Sequence, residues 1–166
     1  MIPEPPVEIE IREVLADELD RIRPLWDDLY RHQTLHGMKV TVSPDGAAQW
    51  AKGLKPLLGR YARVWGAWQG GQACGFLCAR LRNQPPHFSG ESTGFISDVF
   101  VSESLRGRGV GRRLLQTSLE WFDGLGLRRV ELQVIAGNPK ARELYAELGW
   151  EEELVQMVRI QRPTAP

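Results

Sequence analysis

The sequence lacks an excess of charge of either sign, any long apolar run, and all but two cysteines. Each shortage narrows what the chain can be. Lys plus Arg number 21 and so do Asp plus Glu, giving a formal net charge of zero. That balance offers no bulk attraction to nucleic acid or to an anionic membrane, and leaves only local patches to weigh. No apolar run approaches the roughly 20 residues that span a bilayer. The N-terminal stretch Met1-Ile-Pro-Glu-Pro-Pro6 has no basic segment followed by an apolar one, so no secretory signal is read there. The expected setting is cytoplasmic. Cys74 and Cys78 are too sparse a set for a zinc site, and no metal is expected. On one strand they would share a face about 13 Å apart, beyond the reach of a disulfide. Buried free thiols in a reducing compartment are the expectation.

A chain of 166 residues fits one domain, 1–166, with a disordered Pro-rich tail at 1–6. Hydrophobic residues make up 42% and charged residues 25%, which argues against wholesale disorder. Six Trp exceed what packing requires, but a core position is the better default for each than the wall of a cleft.

The alternation Val7-Glu-Ile-Glu-Ile-Arg12 has the period of a half-buried strand. From Asp17 the apolar spacing turns helical through Leu19, Ile22, Trp26 and Leu29. Pro24 either kinks this helix or moves its true start later. Ser43-Pro44 reads as an N-cap with Pro at the first helical position, opening a second helix to about Leu58. Residues 61–68 and 73–82 are strand-like around Gln69-Gly-Gly-Gln72, a hairpin signal, and a loop rich in Pro, Ser and Gly follows. Residues 94–101 form a nearly continuous apolar run, as in a strand covered on both faces. A glycine-rich loop then leads into a helix to about Asp123. A strand at 129–136, a short helix capped by Asn138-Pro139 and ended by Gly149, and a last strand near 155–160 complete the order. Strand–helix–strand demands a right-handed parallel crossover, so the prediction is a mixed α/β (α+β) sheet, antiparallel early and parallel near its middle.

The loop Arg106-Gly-Arg-Gly-Val-Gly-Arg112 joins the buried strand to a helix. Gly107, Gly109 and Gly111 permit positive φ and a close approach of ligand to backbone. The free amides of the first helical turn, at the positive end of the helix dipole, make a pyrophosphate the natural guest. Arg106, Arg108, Arg112 and Arg113 add charge for pairing. A nucleoside triphosphatase loop would need Gly-Lys-Ser or Gly-Lys-Thr, and a dinucleotide-binding loop Gly-x-Gly-x-x-Gly with a later acidic residue. Neither is present. A plain structural turn, or an Arg/Gly patch for RNA, are the competing readings.

Val99-Phe-Val101 followed by Arg106-Gly-Arg-Gly-Val-Gly111 resembles the Arg/Gln-x-x-Gly-x-Gly/Ala signature of the GNAT superfamily of N-acetyltransferases. Downstream, Asn138-Pro-Lys-Ala-Arg-Glu-Leu-Tyr-Ala-Glu-Leu-Gly-Trp150 resembles that family's Asn-x-x-Ala…Tyr…Gly-Phe segment, with Trp150 in place of Phe. The resemblance implies a GNAT-like mixed twisted sheet with an antiparallel N-terminal half, parallel central strands splayed around the cofactor, and helices on both faces. It implies acetyl-CoA as co-substrate, and acetyl transfer to a primary amine of a small molecule or peptide by direct attack on the thioester. Backbone groups of Val99, Phe100 and Val101 would pair with the pantetheine arm, one amide facing the thioester carbonyl. A fixed donor at such an oxyanion is worth about 3 kcal/mol. Amides of Gly107, Arg108, Gly109, Val110, Gly111 and Arg112, behind Arg106 at the head of the signature, would hold the pyrophosphate. Asn138 would contact the arm, or serve as a plain N-cap. Tyr145 would protonate or hydrogen-bond the leaving sulfur, or be a core tyrosine.

The amine must lose a proton, and relatives that carry a Glu on this strand find no match at Phe95 or Ile96. Asp98 interrupts the apolar run, where a carboxylate is costly without a partner or a task, and alternation puts it on the face of Ile96 and Phe100. It is the candidate base, alone or through water shared with Glu91, against a purely structural Asp. Trp26, Tyr30, His36, His32 and Trp50 are candidates for an acceptor pocket, although aromatics at helical spacing are more often core. The partners expected are an amine, no nucleic acid and no membrane, with a homodimer left open. A non-catalytic acyl-CoA-binding sensor of the same fold is the alternative to an enzyme.

Overall fold

The computed structural model describes residues 8–161, so the tail expected at 1–6 lies outside the described residues. Five strands, β1 (Ile9–Glu13), β2 (Ala62–Gln69), β3 (Gln72–Asn83), β4 (Ser92–Val101) and β5 (Val130–Leu132), form one sheet in chain order. Neighbours from β1 to β4 are antiparallel, and β4 pairs with β5 in parallel. Helices α1 (Arg23–Leu35) and α2 (Gly46–Leu54) pack on one face, where Leu25, Leu29 and Leu54 meet Val64, Phe76 and Phe100. Helix α3 (Val110–Gly124) covers the other face, with Leu114, Leu115 and Phe122 on Leu77, Ala79 and Ile96, and α4 (Pro139–Glu147) joins that layer. Among the described residues no helix is long and apolar enough to cross a membrane.

Local chemistry explains most boundaries. Pro24 falls in the first turn of α1, where a missing amide hydrogen costs nothing, so the helix starts late instead of kinking. A 3₁₀ stretch, Ala16–Arg21, takes the place of its expected first turns. Gly70 and Gly71, both with positive φ, turn β2 into β3 as a tight hairpin requires. The second helix begins at Gly46, not at Pro44. The Ser43 hydroxyl is engaged with Asp45 at 2.5 Å and caps nothing.

Other expectations fail on strand geometry. Cys74 and Cys78 do not share a face. The β2–β3 register slips at Cys74, and one extra residue reverses the alternation, sending Cys74 toward α3 and Cys78 toward α1 and α2. Both thiols are free and buried. The strand expected at 129–136 is only Val130–Leu132, because β4 and β5 part beyond that point. The last strand expected near 155–160 joins no ladder: residues 151–161 belong to no described helix or strand and are exposed.

The turn between β5 and α4 abuts the end of α1. A Cβ on Gly137 would lie 2.2 Å from the His36 carbonyl oxygen, a backbone atom that cannot swing aside. Gly137→Ala should therefore lower stability by about 1–3 kcal/mol. The check is a reduced urea midpoint at unchanged m-value.

Candidate functional site

Strands β4 and β5 pair only over Gly94 with Val130, Phe95 with Glu131 and Ile96 with Leu132. β4 then continues to Val101 against β3 alone, leaving its other edge without a strand. The departure coincides with a bulge: Ile96 pairs with Ala79 and Asp98 with Cys78, so Ser97 is extra. A bulge bends and twists its strand, and here it opens a wedge whose rim is the backbone of Val99, Phe100 and Val101.

The wedge leads into the glycine loop. Gly107 and Gly109 have φ of 74° and 76°, a region costly for any residue with a Cβ. Gly109 is the N-cap of α3. A Cβ on Gly107 or Gly109 would meet nothing within 4 Å, so the loop faces open space. The amides of Gly107, Arg108, Gly109, Val110, Gly111 and Arg112 make no hydrogen bond within the described residues. The first to find an acceptor is Arg113, bonded to the Gly109 carbonyl at 3.1 Å. A row of unengaged amides at a helix N-terminus is an anion cradle.

The arginines divide into two pairs. Arg106 turns back, its Nε donating to the Val101 carbonyl at 3.0 Å and its guanidinium lying 5.5 Å from the Phe100 ring. Arg112 pairs with Glu147 of α4. These two fasten the loop to β4 and α4. Arg108 and Arg113 have no hydrogen-bond or ion-pair partner among the described side chains and remain free for a ligand.

Asn138 caps α4, its Oδ1 accepting from the Ala141 amide at 3.2 Å, which leaves the side-chain NH₂ for another partner. Tyr145 belongs to the cluster that holds Val99, Val101 and Trp150, its ring edge-on to Trp150 at 6.1 Å. Burial pushes its phenol up to about 12, so it keeps its proton throughout the physiological range.

Asp98 is 3% exposed and faces α1 and α2 with Phe100. The bulge puts Ile96 on the opposite face, correcting the alternation expected from sequence. Asp98 accepts from the Ser97 hydroxyl at 2.6 Å and from the Tyr30 hydroxyl at 3.3 Å. Burial raises the carboxyl above its ordinary range, while the Ser97 bond, the Arg80 charge and the Tyr30 bond pull it back. Burial, then the Asp98 charge, raises the Tyr30 phenol in turn.

Tyr30 also lines an open cleft with Asp27, Thr34, Met38 and Val42. Trp26 does not reach it. It is 7% exposed and stacked 4.1 Å from the Tyr30 ring, a core position. His36 is half-buried, its Nδ1 2.9 Å from the His32 carbonyl oxygen. His32, also a candidate for the acceptor pocket, lies apart from this cleft. Its ring stands edge-on to Phe100 at 6.3 Å, 3.5 Å from Arg106, in a second cleft at the open end of β4. Burial, then the Arg106 charge, depresses its pKa and favours the neutral imidazole. No pattern in the sequence pairs His32 with Phe100, because the contact joins α1 to a strand far along the chain. Among the described residues no three His, Cys, Asp or Glu side chains converge as a metal ion would require.

Known proteins resemble this chain in sequence and in fold. An N-acetyltransferase of Methanocaldococcus jannaschii is 42% identical over 60 residues, 36% of this chain and 26% of that protein. One from Bacillus subtilis is 33% identical over 42% of this chain and 28% of its own length, so the chain spans little more than a quarter of these first relatives. The D-amino-acid N-acetyltransferase of Saccharomyces cerevisiae is 27% identical, over 78% of this chain and 80% of its own. Among solved structures, the aminoglycoside N-acetyltransferase AAC(6')-Iy in complex with CoA superposes with a TM-score of 0.74 over 98% of this chain and 99% of that one. At 20% identity that likeness speaks to the fold alone. The sequence pattern of the acetyltransferase (GNAT) family matches residues 20–150, which include the wedge, the glycine loop and α4, and the chain belongs to that family.

Proposed function

We propose that the chain is an acetyl-CoA-dependent N-acetyltransferase acting on a primary amine of a small molecule or peptide. The observation that carries the reading is the run of unengaged amides at 107–112 directly beyond the open edge of β4. A pyrophosphate fits the first, with Arg108 and Arg113 for its charge, and an extended amide-bearing arm fits the second. A bound thioester supplies the electrophilic carbonyl. The GNAT relatives, among them one named for D-amino acids and a structural neighbour named for aminoglycosides, support amine chemistry without naming this chain's acceptor.

The residues then take distinct tasks. A backbone amide near Phe100 or Val101 donates to the carbonyl oxygen as negative charge develops on it. Tyr145, neutral and in the cluster of Val99 and Val101, donates to the departing sulfur. The Tyr30–Asp98 pair receives the proton of the incoming ammonium: Tyr30 faces the cleft, and Asp98 lies behind it as a buried carboxylate. The neutral imidazole of His32 at the end of β4 is the second candidate for this proton.

Thiol release from acetyl-CoA across polyamines, amino acids, aminoglycosides and peptide N-termini tests the activity. Stabilisation by CoA with no thiol release for any amine would instead favour an acyl-CoA-binding sensor. Gly109→Asp should weaken CoA binding on the order of 100-fold through charge against charge at the cradle. Calorimetry reads that loss, and unchanged affinity would move the phosphate site elsewhere. Tyr145→Phe should lower kcat on the order of 100-fold while leaving CoA affinity nearly intact. Equal loss of both would remove its proposed role.

Asp98 yields a pH prediction for stability. Its folded pKa lies above the ordinary 3.8, so the folded chain holds this proton more tightly than the unfolded one. Its stabilising contribution is fully present below about 3.8 and is lost as pH rises through the higher folded value. Asp98→Asn removes that loss, and its Tm relative to the parent chain should rise between pH 4 and pH 8, as scanning calorimetry across that range would show. A parallel pH response in both chains would contradict the assignment.

A further inference from the structure

The Tyr30–Asp98 pair has a cationic neighbour to which the proposed transfer gives no task. Arg80 of β3 lies two residues beyond Cys78, the residue that stands opposite Asp98 on β4. Alternation along β3 puts Arg80 and Arg82 on the Cys78 face, toward α1 and α2, while Ala79 and Leu81 meet α3. Two residues of strand span about 7 Å, within the reach of an arginine arm. Burial raises the Asp98 carboxyl, the Tyr30 phenol and the Cys78 thiol, and the Arg80 charge pulls all three back. One guanidinium therefore stands beside both members of the pair.

What Arg80 lacks is an anion. Among the described residues Arg23, Arg63 and Arg80 each bury an Nε that has no hydrogen-bond partner. Arg23 and Arg63 set another nitrogen on a carboxylate, Asp20 at 3.2 Å and Glu13 at 3.4 Å. Arg80 has no ion pair among the described residues. Asp98 does not fill that place, since Ser97 and Tyr30 already donate to it and burial favours its protonated form. Arg82 repeats the pattern two residues on. Its guanidinium lies 3.3 Å from the centre of the Phe95 ring. Glu131, the carboxylate that acts on Arg82, is already engaged by Arg129 at 2.5 Å and Gln84 at 3.0 Å. Two guanidiniums on one strand face, without counter-charge and beside a proton acceptor, suit a ligand that carries both signs.

We propose that the acceptor is an amino acid, its carboxylate received by Arg80 with Arg82 and its ammonium by the Tyr30–Asp98 pair. This rests on the transferase reading and narrows it. The planar fork of a guanidinium matches a carboxylate with two parallel hydrogen bonds. The same two cations repel a second ammonium at that place, which disfavours polyamines and aminoglycosides. The carboxylate takes no part in the bond changes. The amine gives up its proton to the pair, its nitrogen bonds the acetyl carbon, the carbon–sulfur bond breaks, and CoA leaves as the thiol. Arg80 thus determines specificity.

Thiol release from acetyl-CoA is compared for amino acids, their carboxamides and spermidine. For the amino acid used best, kcat/KM should exceed that of its carboxamide on the order of 100-fold, because the amide leaves the guanidinium unpaired. Arg80→Gln should raise KM for the amino acid and abolish that preference, with the far-ultraviolet dichroism unchanged. Arg80→Lys should keep part of it. Arg82→Gln, at an exposed position, should reduce it without disturbing the fold. If Arg80 only tuned Asp98, Arg80→Gln would slow both acceptors alike and leave the preference intact, which would refute the assignment. Calorimetric Tm shifts in the presence of CoA, which has no acetyl group to give, read binding without turnover. Amino acids should raise Tm, carboxamides should not, and Arg80→Gln should erase the difference. That stabilisation with no thiol release from any amine would sink the transferase reading and leave the carboxylate site standing. Equal use and equal stabilisation by amino acids and carboxamides, or a preference for spermidine, would overturn the proposal.

Discussion

The parting of β4 from β5 is the constraint on which the rest of this structure depends. Backbone N–H and C=O groups inside a protein require partners, and a strand edge left open within a sheet is costly unless something else supplies them. Here β4 runs on to Val101 after β5 has stopped at Leu132, and the glycine loop adds a run of amides with no acceptor of their own. The protein keeps this polar surface open at one place and closes nearly everything around it. Arg106 ties the strand end, Arg112 ties α4, and the Asn138 cap fixes the start of that helix. An extended, phosphate-bearing ligand would complete such a surface, and the acetyl-CoA proposed for it has that form.

The bulge at Ser97 serves two ends at once. It bends β4 at the point of divergence, and it reverses the alternation so that Asp98 turns toward α1 and α2. There the carboxylate sits among aromatic side chains, held by Ser97 and Tyr30. A carboxylate so deeply covered is destabilising when charged, unless donors surround it. Its partner Tyr30 reaches the cleft on the other side, so the same arrangement that satisfies the buried group connects it to the place where an amine would enter.

The two layers of helices divide the labour in a related way. α1 and α2 supply the aromatic and histidine side chains that face the end of β4, while the unengaged amides stand at the head of α3 and Tyr145 lies on α4. Helix α4 has no fully buried residue, and residues 151–161 after it are exposed.

Much was legible in the sequence because it is written locally. Gly107 and Gly109 announce positive φ, while Gly111 turns out helical; Asn138-Pro139 announces a helix start, and the apolar run at 94–101 announces a central strand, each through the conformational preference of a few adjacent residues. The family followed from two such blocks at a fixed separation. The facing of Cys74, the facing of Asp98, the meeting of His32 with Phe100 and the unpaired course of residues 151–161 were not legible. A bulge inserts one residue into a period of two, and nothing local marks it, so every face assignment beyond it is reversed. Contacts between α1 and β4, and the presence or absence of a neighbour for a strand, are properties of the packed sheet. Only the tertiary structure decides them, because they depend on which distant segments compete for the same edge.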